Sequence, residues 1–389
     1  MTICSFSFHD TYRDWKLNEV SFSDFNLLVG QSGVGKTQIL SALWSVRQAG
    51  IAGTQQVNGC KWELEIVVAD KKYQWIAETA LVKIGDLILP DEGEPKNGQF
   101  RVDSPRFLRE TIIDEKGDEI VNRGEMFRFA GRTLPKLKNT ESAISLLQNE
   151  EGIAPLYQSL SRFIASELPV LALSRLGQLE TAERLREQYQ RLEDLRDTTG
   201  IPILVKAYIL QKNFPALFRE IKDDFIEIFP TVSDVSLDER GKLSPDPLGS
   251  AVFSFSLAFG IKEKGVRGWV VNQHISAGML RTFIHLVEIA LASPEAVILI
   301  DELENSLGVN CLQQLTHRFL RRSELQFILT SHHPYIINNI PMKYWKLVTR
   351  KGSVVTVKDA NSIKGLDPDS LLSGFVQLTN LEEYEEAIQ

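Results

Sequence analysis

The sequence predicts an α/β fold with a mixed or parallel core sheet, an antiparallel β-lobe and a helical insertion. Three observations predict it. The apolar run Leu27-Leu28-Val29 leads through Gly30-Gln31-Ser32-Gly33-Val34-Gly35-Lys36-Thr37 into Ile39, Leu40 and Leu43 at helical spacing, which reads as strand, loop, helix. A second short apolar run, Ala296 to Ile300, closes on Asp301 and Glu302. That is the pattern of a central parallel strand covered on both faces, whose C-terminal end opens on a ligand crevice. Between the two, alternation of period two gives way to helical spacing.

In chain order, residues 1 to 60 supply short strands, the glycine-rich loop and its helix. From Lys61 to about Lys138, Trp62, Leu64, Ile66 and Val68, then Tyr73 and Trp75, Ile112 and Ile113, and Phe127 and Phe129 mark strands. Turn sequences at Asp91 to Pro95 and Glu115 to Asp118 separate them. Residues 139 to 249 read as the helical insertion, with apolar faces at Ile144, Leu147, Leu156, Leu160 and Phe163. Within it the charged Leu179 to Arg196 reads as one solvated helix. A loop around Gly241 to Gly249, with Pro245 and Pro247, precedes strands at Val252 to Phe259 and Trp269 to Val271. The α/β pattern then resumes: helix Ala277 to Ala292, strand Ala296 to Ile300, helix Asn310 to Arg322, strand Gln326 to Leu329, and a helix near Pro334 to Ile340. The whole of 1–389 is expected to form one domain, its core assembled from 1–60 and 250–389, with 61–138 as β-lobe.

With 389 residues, 43% of them apolar, the chain can bury a large core. No apolar stretch predicts a membrane span, and Met1 to Asp10 lack the basic-then-apolar pattern of a signal peptide. A cytoplasmic location without membrane contact is expected. Cys4, Cys60 and Cys311 are odd in number and far apart, as suits reduced core thiols. A net charge of -8 argues against indiscriminate nucleic-acid binding.

The glycine-rich loop carries the first chemistry. Its three glycines let backbone N–H groups turn inward, where with the helix N-terminus they form a cradle for phosphate oxygens. Lys36 adds a positive charge for the β- and γ-phosphates, and the Thr37 hydroxyl can hold Mg2+. Gly30, Gln31, Ser32, Gly33, Val34, Gly35, Lys36, Thr37 and Gln38 are therefore the candidate nucleotide-binding residues. Asp301 is the candidate for the second Mg2+ contact, and Glu302 for orienting and deprotonating an attacking water. Ser276 opens a long helix as an N-cap, and with Gly278 its free N–H groups also suit a γ-phosphate.

These segments together resemble an ABC-type ATPase of the SMC/RecF-like group. Asn26 to Thr37 resembles the group's first motif, Ser276-x-Gly278-x-x-Arg281 its signature, and Ile300 to Leu307 its Mg2+ strand and D-loop. Thr330-Ser331-His332-His333-Pro334 resembles the switch-histidine loop, with His332 in the matching place. The chain is also similar to compact AAA-family ATPases that accompany prokaryotic defence effectors, including OLD-type nucleases and the ATPase subunits of the PARIS and Septu systems. It departs from them at Leu307, followed here by Gly308-Val309 rather than His-Pro, and at Ala277, where transporters carry glycine. The Mg2+-sensing glutamine has only Gln148, Gln158 and Gln178 as candidates.

The resemblance implies an ABC-type P-loop fold with ATP and Mg2+ bound at one copy and Ser276 and Gly278 supplied by another. Glu302, His332 and Lys36 would then be the catalytic set. Partners would be a second copy of the chain and a separate effector, a nuclease, in anti-phage defence; only 57 residues follow His332, and no acidic cluster there suits a nuclease domain. DNA stays open as a partner. A RecF-like ATPase of DNA repair or chromosome maintenance is the alternative reading, followed by a transporter ATPase subunit. Of the remaining histidines, His333 is expected to face away, His274 reads either as a contact to nucleotide or partner or as a surface or packing residue, and His9, His285 and His317 read as structural. Arg128, Arg132, Lys136 and Lys138, interleaved with Phe127 and Phe129, read as a solvated strand face.

Overall fold

The structure is a computed structural model that describes residues 1–82, 104–166, 179–198, 200–245, 251–367, 370 and 372–385. The chain forms two compact units, one of Met1–Leu160, Lys343–Leu372 and Val376–Gln389, the other of Ser161–Met342 and Ser373–Phe375.

The first unit is built on a mixed sheet. From the Phe25–Val29 strand the order runs through Trp345–Lys351, Val354–Asp359, Trp15–Ser21 and Thr2–Asp10. Cys60–Val68, Lys71–Thr79, Phe107–Ile113, Glu119–Arg123, Phe127–Phe129 and Arg132–Leu134 follow in sequence order. Phe25–Val29 pairs in parallel with Trp345–Lys351. The six strands from Cys60 onward are antiparallel throughout, as the alternation predicts. Along Cys60–Val68 every second side chain is buried: Cys60, Trp62, Leu64, Ile66 and Val68. Trp62 meets Trp75 edge to face with ring centroids 5.3 Å apart, a geometry the ring quadrupoles favour. The Glu115 to Asp118 turn forms around Asp114, whose carboxylate accepts from Lys116 N and Asp118 N at 2.9 Å. The Asp91 to Pro95 turn lies outside the described residues.

The Lys36–Ile51 helix turns Ile39, Leu40, Leu43 and Val46 inward. Near its end a Cβ on Gly50 would come 2.7 Å from Leu160 Cδ1 and 3.2 Å from the Trp75 ring, so the helix approaches the sheet more closely than any side chain there would allow. Arg47, buried one turn earlier, donates from Nε to the Leu160 carbonyl at 3.0 Å and stacks on Trp44.

The second unit holds three parallel strands, Ile164–Ala165, Val297–Ile300 and Gln326–Thr330, with helices Ile203–Asn213, Pro215–Ile228, Ala277–Leu291 and Val309–Arg321. Ala277–Leu291 is buried almost all round its circumference, the mark of a core helix. Phe283 on it lies 4.6 Å from Phe259 and 5.8 Å from Phe225, ring centroid to ring centroid.

Two expectations change here. Leu179 to Arg196 forms two helices, Leu179–Gln188 and Leu192–Asp197, because Asn213 Nδ2 takes the Arg186 and Tyr189 carbonyls, each at 2.8 Å, and ends the first. Ala182 and Leu195 on them are buried, so neither helix is purely solvated. The stretch read as helical insertion and loop also contains a strand, Val232–Pro245, antiparallel to Ala251–Glu263. Its buried Val232, Val235 and Leu237 give it an apolar face that the Gly and Pro residues near Gly241 mask in sequence.

Candidate functional site

The glycine-rich loop leaves the wholly buried Phe25–Val29 strand and enters the helix that begins at Lys36. Gly30, Gly33 and Gly35 all have positive φ, at 150°, 86° and 110°. A Cβ on Gly30 would lie 2.5 Å from the Val348 carbonyl oxygen, and one on Gly35 3.0 Å from Val355 Cγ2. Conformation and space therefore both require glycine. Lys36 is 4% exposed. Its ammonium donates to the Gly30 and Gln31 carbonyls, each at 2.7 Å, so the charge sits inside the curl of the loop. Val34 is buried as an anchor, Gln31 is half-buried, and Ser32, Gly33, Thr37 and Gln38 line the exposed rim. Among the described residues no side chain caps the helix at its N-cap, Gly35, and an anion at such a terminus can take the capping role.

A second set of residues converges within the other unit. The Val297–Ile300 and Gln326–Thr330 strands pair in parallel with Ile300 opposite Leu329, which places Asp301 beside Thr330. The Thr330 hydroxyl donates to Asp301 Oδ1 and accepts from the Glu302 N–H, both at 2.7 Å. Leu303 N–H donates to the Thr330 carbonyl at 3.0 Å, and Glu304 Oε1 accepts the His332 N–H at 2.6 Å. Glu302 is held at φ 45° and its side chain is exposed, whereas Asp301 is half-buried. The positive φ turns a carboxylate outward at the strand end, at a cost of order 1 kcal/mol that the Thr330 bonds offset.

The Ala277–Leu291 helix joins this cluster through its first turns. Ser276 is its N-cap and accepts the Met279 N–H at 3.2 Å, as the capping reading expects. A Cβ on Gly278 would sit 2.5 Å from the Ser306 carbonyl oxygen; glycine is needed for close approach. Arg281 is 2% exposed and donates from Nη2 to the Asp301 and Glu302 carbonyls at 3.0 and 3.4 Å. Burial pulls its guanidinium below the usual arginine range, against the attraction of Glu288, Asp301, Glu302 and Glu304.

Among the sequence candidates, the structure thus brings Asp301, Glu302, the His332 backbone and Gly278 into one cluster, and the Gly30 to Gln38 loop into another. Thr330, Glu304 and Arg281 stand within the motif segments, but the bonds they make around the Asp301-Glu302 turn and His332 have no signal in spacing alone. They follow from strand register. Gln148 and Gln158 are exposed in the first unit, and Gln178 lies outside the described residues.

Other histidines have structural partners. His333 Nδ1 accepts the Tyr335 N–H at 3.1 Å. His285, fully buried, has Nδ1 3.2 Å from both Ser166 Oγ and Glu288 Oε2. Among the described residues no group of three or more His, Cys, Asp or Glu side chains is arranged to hold a metal ion, and no helix is long and apolar enough to cross a membrane. Arg128, Arg132, Lys136 and Lys138 are exposed. Phe127 beside them is buried under the Arg123 guanidinium, 5.1 Å from its ring, which makes it core rather than a stacking platform.

A glycine-rich loop between a strand and a helix, and a strand that ends in paired carboxylates, are the features the sequence reading expects of a nucleoside-triphosphatase. Residues 135–338, just over half of the chain, match the family described as "AAA domain, putative AbiEii toxin, Type IV TA system", and the chain belongs to that family of AAA ATPase domains. Solved structures similar to it include an SMC head bound to the C-winged helix domain of ScpA, with 14% identity, 92% of this chain and 97% of that chain covered, and TM-score 0.45. An Smc head with an extended coiled coil bound to the C-terminal domain of ScpA, derived from Pyrococcus furiosus, shows 14% identity, coverage of 92% and 95%, and TM-score 0.44. The SMC head domain from Thermotoga maritima shows 12% identity, coverage of 92% and 99%, and TM-score 0.34. No curated protein matches the sequence.

Proposed function

We propose that the chain binds and hydrolyses ATP with Mg2+, and that ATP-dependent association of its copies controls a separately encoded nuclease effector in defence against phage. The observation that carries the ATPase reading is the Asp301-Glu302 turn, one carboxylate half-buried and fixed by Thr330, the next exposed. Membership of an AAA family supports it.

In this reading Lys36 exchanges its carbonyl partners for β- and γ-phosphate oxygens, and the N–H groups of Gly30 to Gln38 cradle them. Thr37 and Asp301 would hold Mg2+. One hydroxyl and one carboxylate are hard oxygen donors of the kind that ion takes, with phosphate and water completing its shell. Bound Mg2+ would offset charge on the phosphates. Glu302 accepts the proton of the attacking water, and His332 positions the γ-phosphate end. Ser276 and Gly278 of a second copy close over the γ-phosphate, so that hydrolysis opens the assembly.

Glu302→Gln is expected to slow ATP turnover and to accumulate an ATP-bound oligomer, read by native mass measurement with and without ATP. Turnover at the wild-type rate would remove Glu302 as the base. Ser276→Arg should abolish turnover while the isolated subunit still binds ATP; loss of binding would place Ser276 in its own subunit's site. A nuclease gene beside this one supports the effector role, whereas DNA-stimulated turnover would favour chromosome maintenance.

A further inference from the structure

Arg281 is a costly residue to bury where it is. Its side chain is 2% exposed, and Nε and Nη1 are buried with no hydrogen-bond partner among the described residues. Idle buried donors cost stability, set against the attraction of Glu288, Asp301, Glu302 and Glu304 for the charge. The one nitrogen that is engaged, Nη2, reaches the carbonyls of two successive residues, Asp301 and Glu302. Those carbonyls lie on either side of the Glu302 Cα, which stands in the left-handed region at φ 45°, and the first of them belongs to the Asp301-Glu302 peptide. Thr330 fixes the same peptide from its N–H side, accepting from Glu302 N. A helix residue and a strand-end residue thus hold the Asp301-Glu302 peptide, one at its carbonyl and the other at its N–H.

We infer that Arg281 is a positioning residue: it holds the Asp301-Glu302 peptide so that the Glu302 carboxylate points outward at the strand end, and stability alone does not account for its presence. The inference rests on the reading of Glu302 as general base. Gly278, one turn earlier on the same helix, packs against the Ser306 carbonyl. The first two turns of the helix therefore bracket the segment from Asp301 to Ser306, and a displacement of that helix end re-aims Glu302.

The test compares Arg281→Met, Arg281→Lys, Glu302→Gln and the Arg281→Met/Glu302→Gln double variant in the full chain, with steady-state ATP turnover and thermal unfolding. Arg281→Met is expected to lower the unfolding midpoint modestly, since two carbonyls lose their donor and four carboxylates a nearby positive charge, but to leave KM for ATP within about threefold and to lower kcat by about 10- to 100-fold, the range known for residues that orient the ligands of a metal site. Lys, with a donor for one carbonyl, should recover part of the loss. The double variant should be no slower than Glu302→Gln, because residues that act as a unit are not additive. Wild-type kcat in Arg281→Met while Glu302→Gln is inactive would overturn this inference alone. So would a fall in stability and ATP affinity parallel to kcat, or a double variant slower by the product of the two effects. Wild-type turnover in Glu302→Gln would overturn the reading of the base and this inference with it.

Discussion

The Thr330 hydroxyl makes two bonds of 2.7 Å, one to each side of the Asp301-Glu302 junction. Its removal leaves the Glu302 N–H without its acceptor and Asp301 Oδ1 without this donor. Thr330→Val is therefore expected to cost roughly 1–3 kcal/mol of stability and to lower turnover, while Thr330→Ser keeps most of both; chemical denaturation and a steady-state ATPase assay check the pair. At this scale the loop from Gly30 to Thr37 is legible in sequence, because its glycines serve backbone angles set within a few residues. Gly30 adds a requirement that no local pattern carries. The Val348 carbonyl lies 2.5 Å from where its Cβ would be, more than 300 residues away in the chain. Gly30→Ala should weaken ATP binding, measured by calorimetry, since the clash falls on backbone that cannot give way cheaply.

Among the elements, helices and strands with a strong period are where the sequence places them. Ala277–Leu291 and Val309–Arg321 fall within a residue or two of expectation, and the meander from Cys60 keeps its alternation. The broken helix at Tyr189 and the Val232–Pro245 strand were hidden. The first is decided by an amide from Asn213, the second by pairing with Ala251–Glu263, and both partners are distant in sequence. The β-lobe has its own fixed point. Glu110 is wholly buried and takes Ser142 Oγ at 2.6 Å, Ala143 N–H at 2.8 Å, Trp75 Nε1 at 3.2 Å and Arg123 at 3.3 Å. Burial pushes its carboxyl up, against the pull of those donors and of Arg123. Glu110→Ala takes the opposite charge from the buried Arg123, which keeps only the Glu141 and Lys138 carbonyls among its described hydrogen-bond partners, and about 3–5 kcal/mol of stability is expected to go with it, read as a fall in denaturation midpoint.

For the molecule as a whole, pH dependence follows from a buried lysine in the second unit. Lys206 donates to the Thr198 carbonyl at 2.6 Å, yet burial lowers its ammonium from the ordinary 10.5 to about 8, with Asp197 opposing. Between these values the unfolded chain holds a proton that the folded chain has lost, so this group's contribution to stability rises with pH from about 8 to about 10.5, opposed above about 9 by the Cys60 thiol, which burial pushes up to about 12. The Lys206 slope is at most about 1.4 kcal/mol per pH unit, and Lys206→Met should flatten the rise in a denaturation series between pH about 8 and about 9.

The sequence by itself determined the α/β class, the curled glycine loop, the carboxylate pair at a strand end and the capped helix at Ser276. Each is written in residues that neighbour one another along the chain, where backbone sterics and period alone fix the outcome. Only the tertiary structure decided that Thr330, Arg281 and Glu304 govern the Asp301-Glu302 turn, that Gly30 must clear Val348, and that Glu110 anchors the β-lobe. Those roles depend on strand register and helix approach, which bring together groups that no local spacing relates.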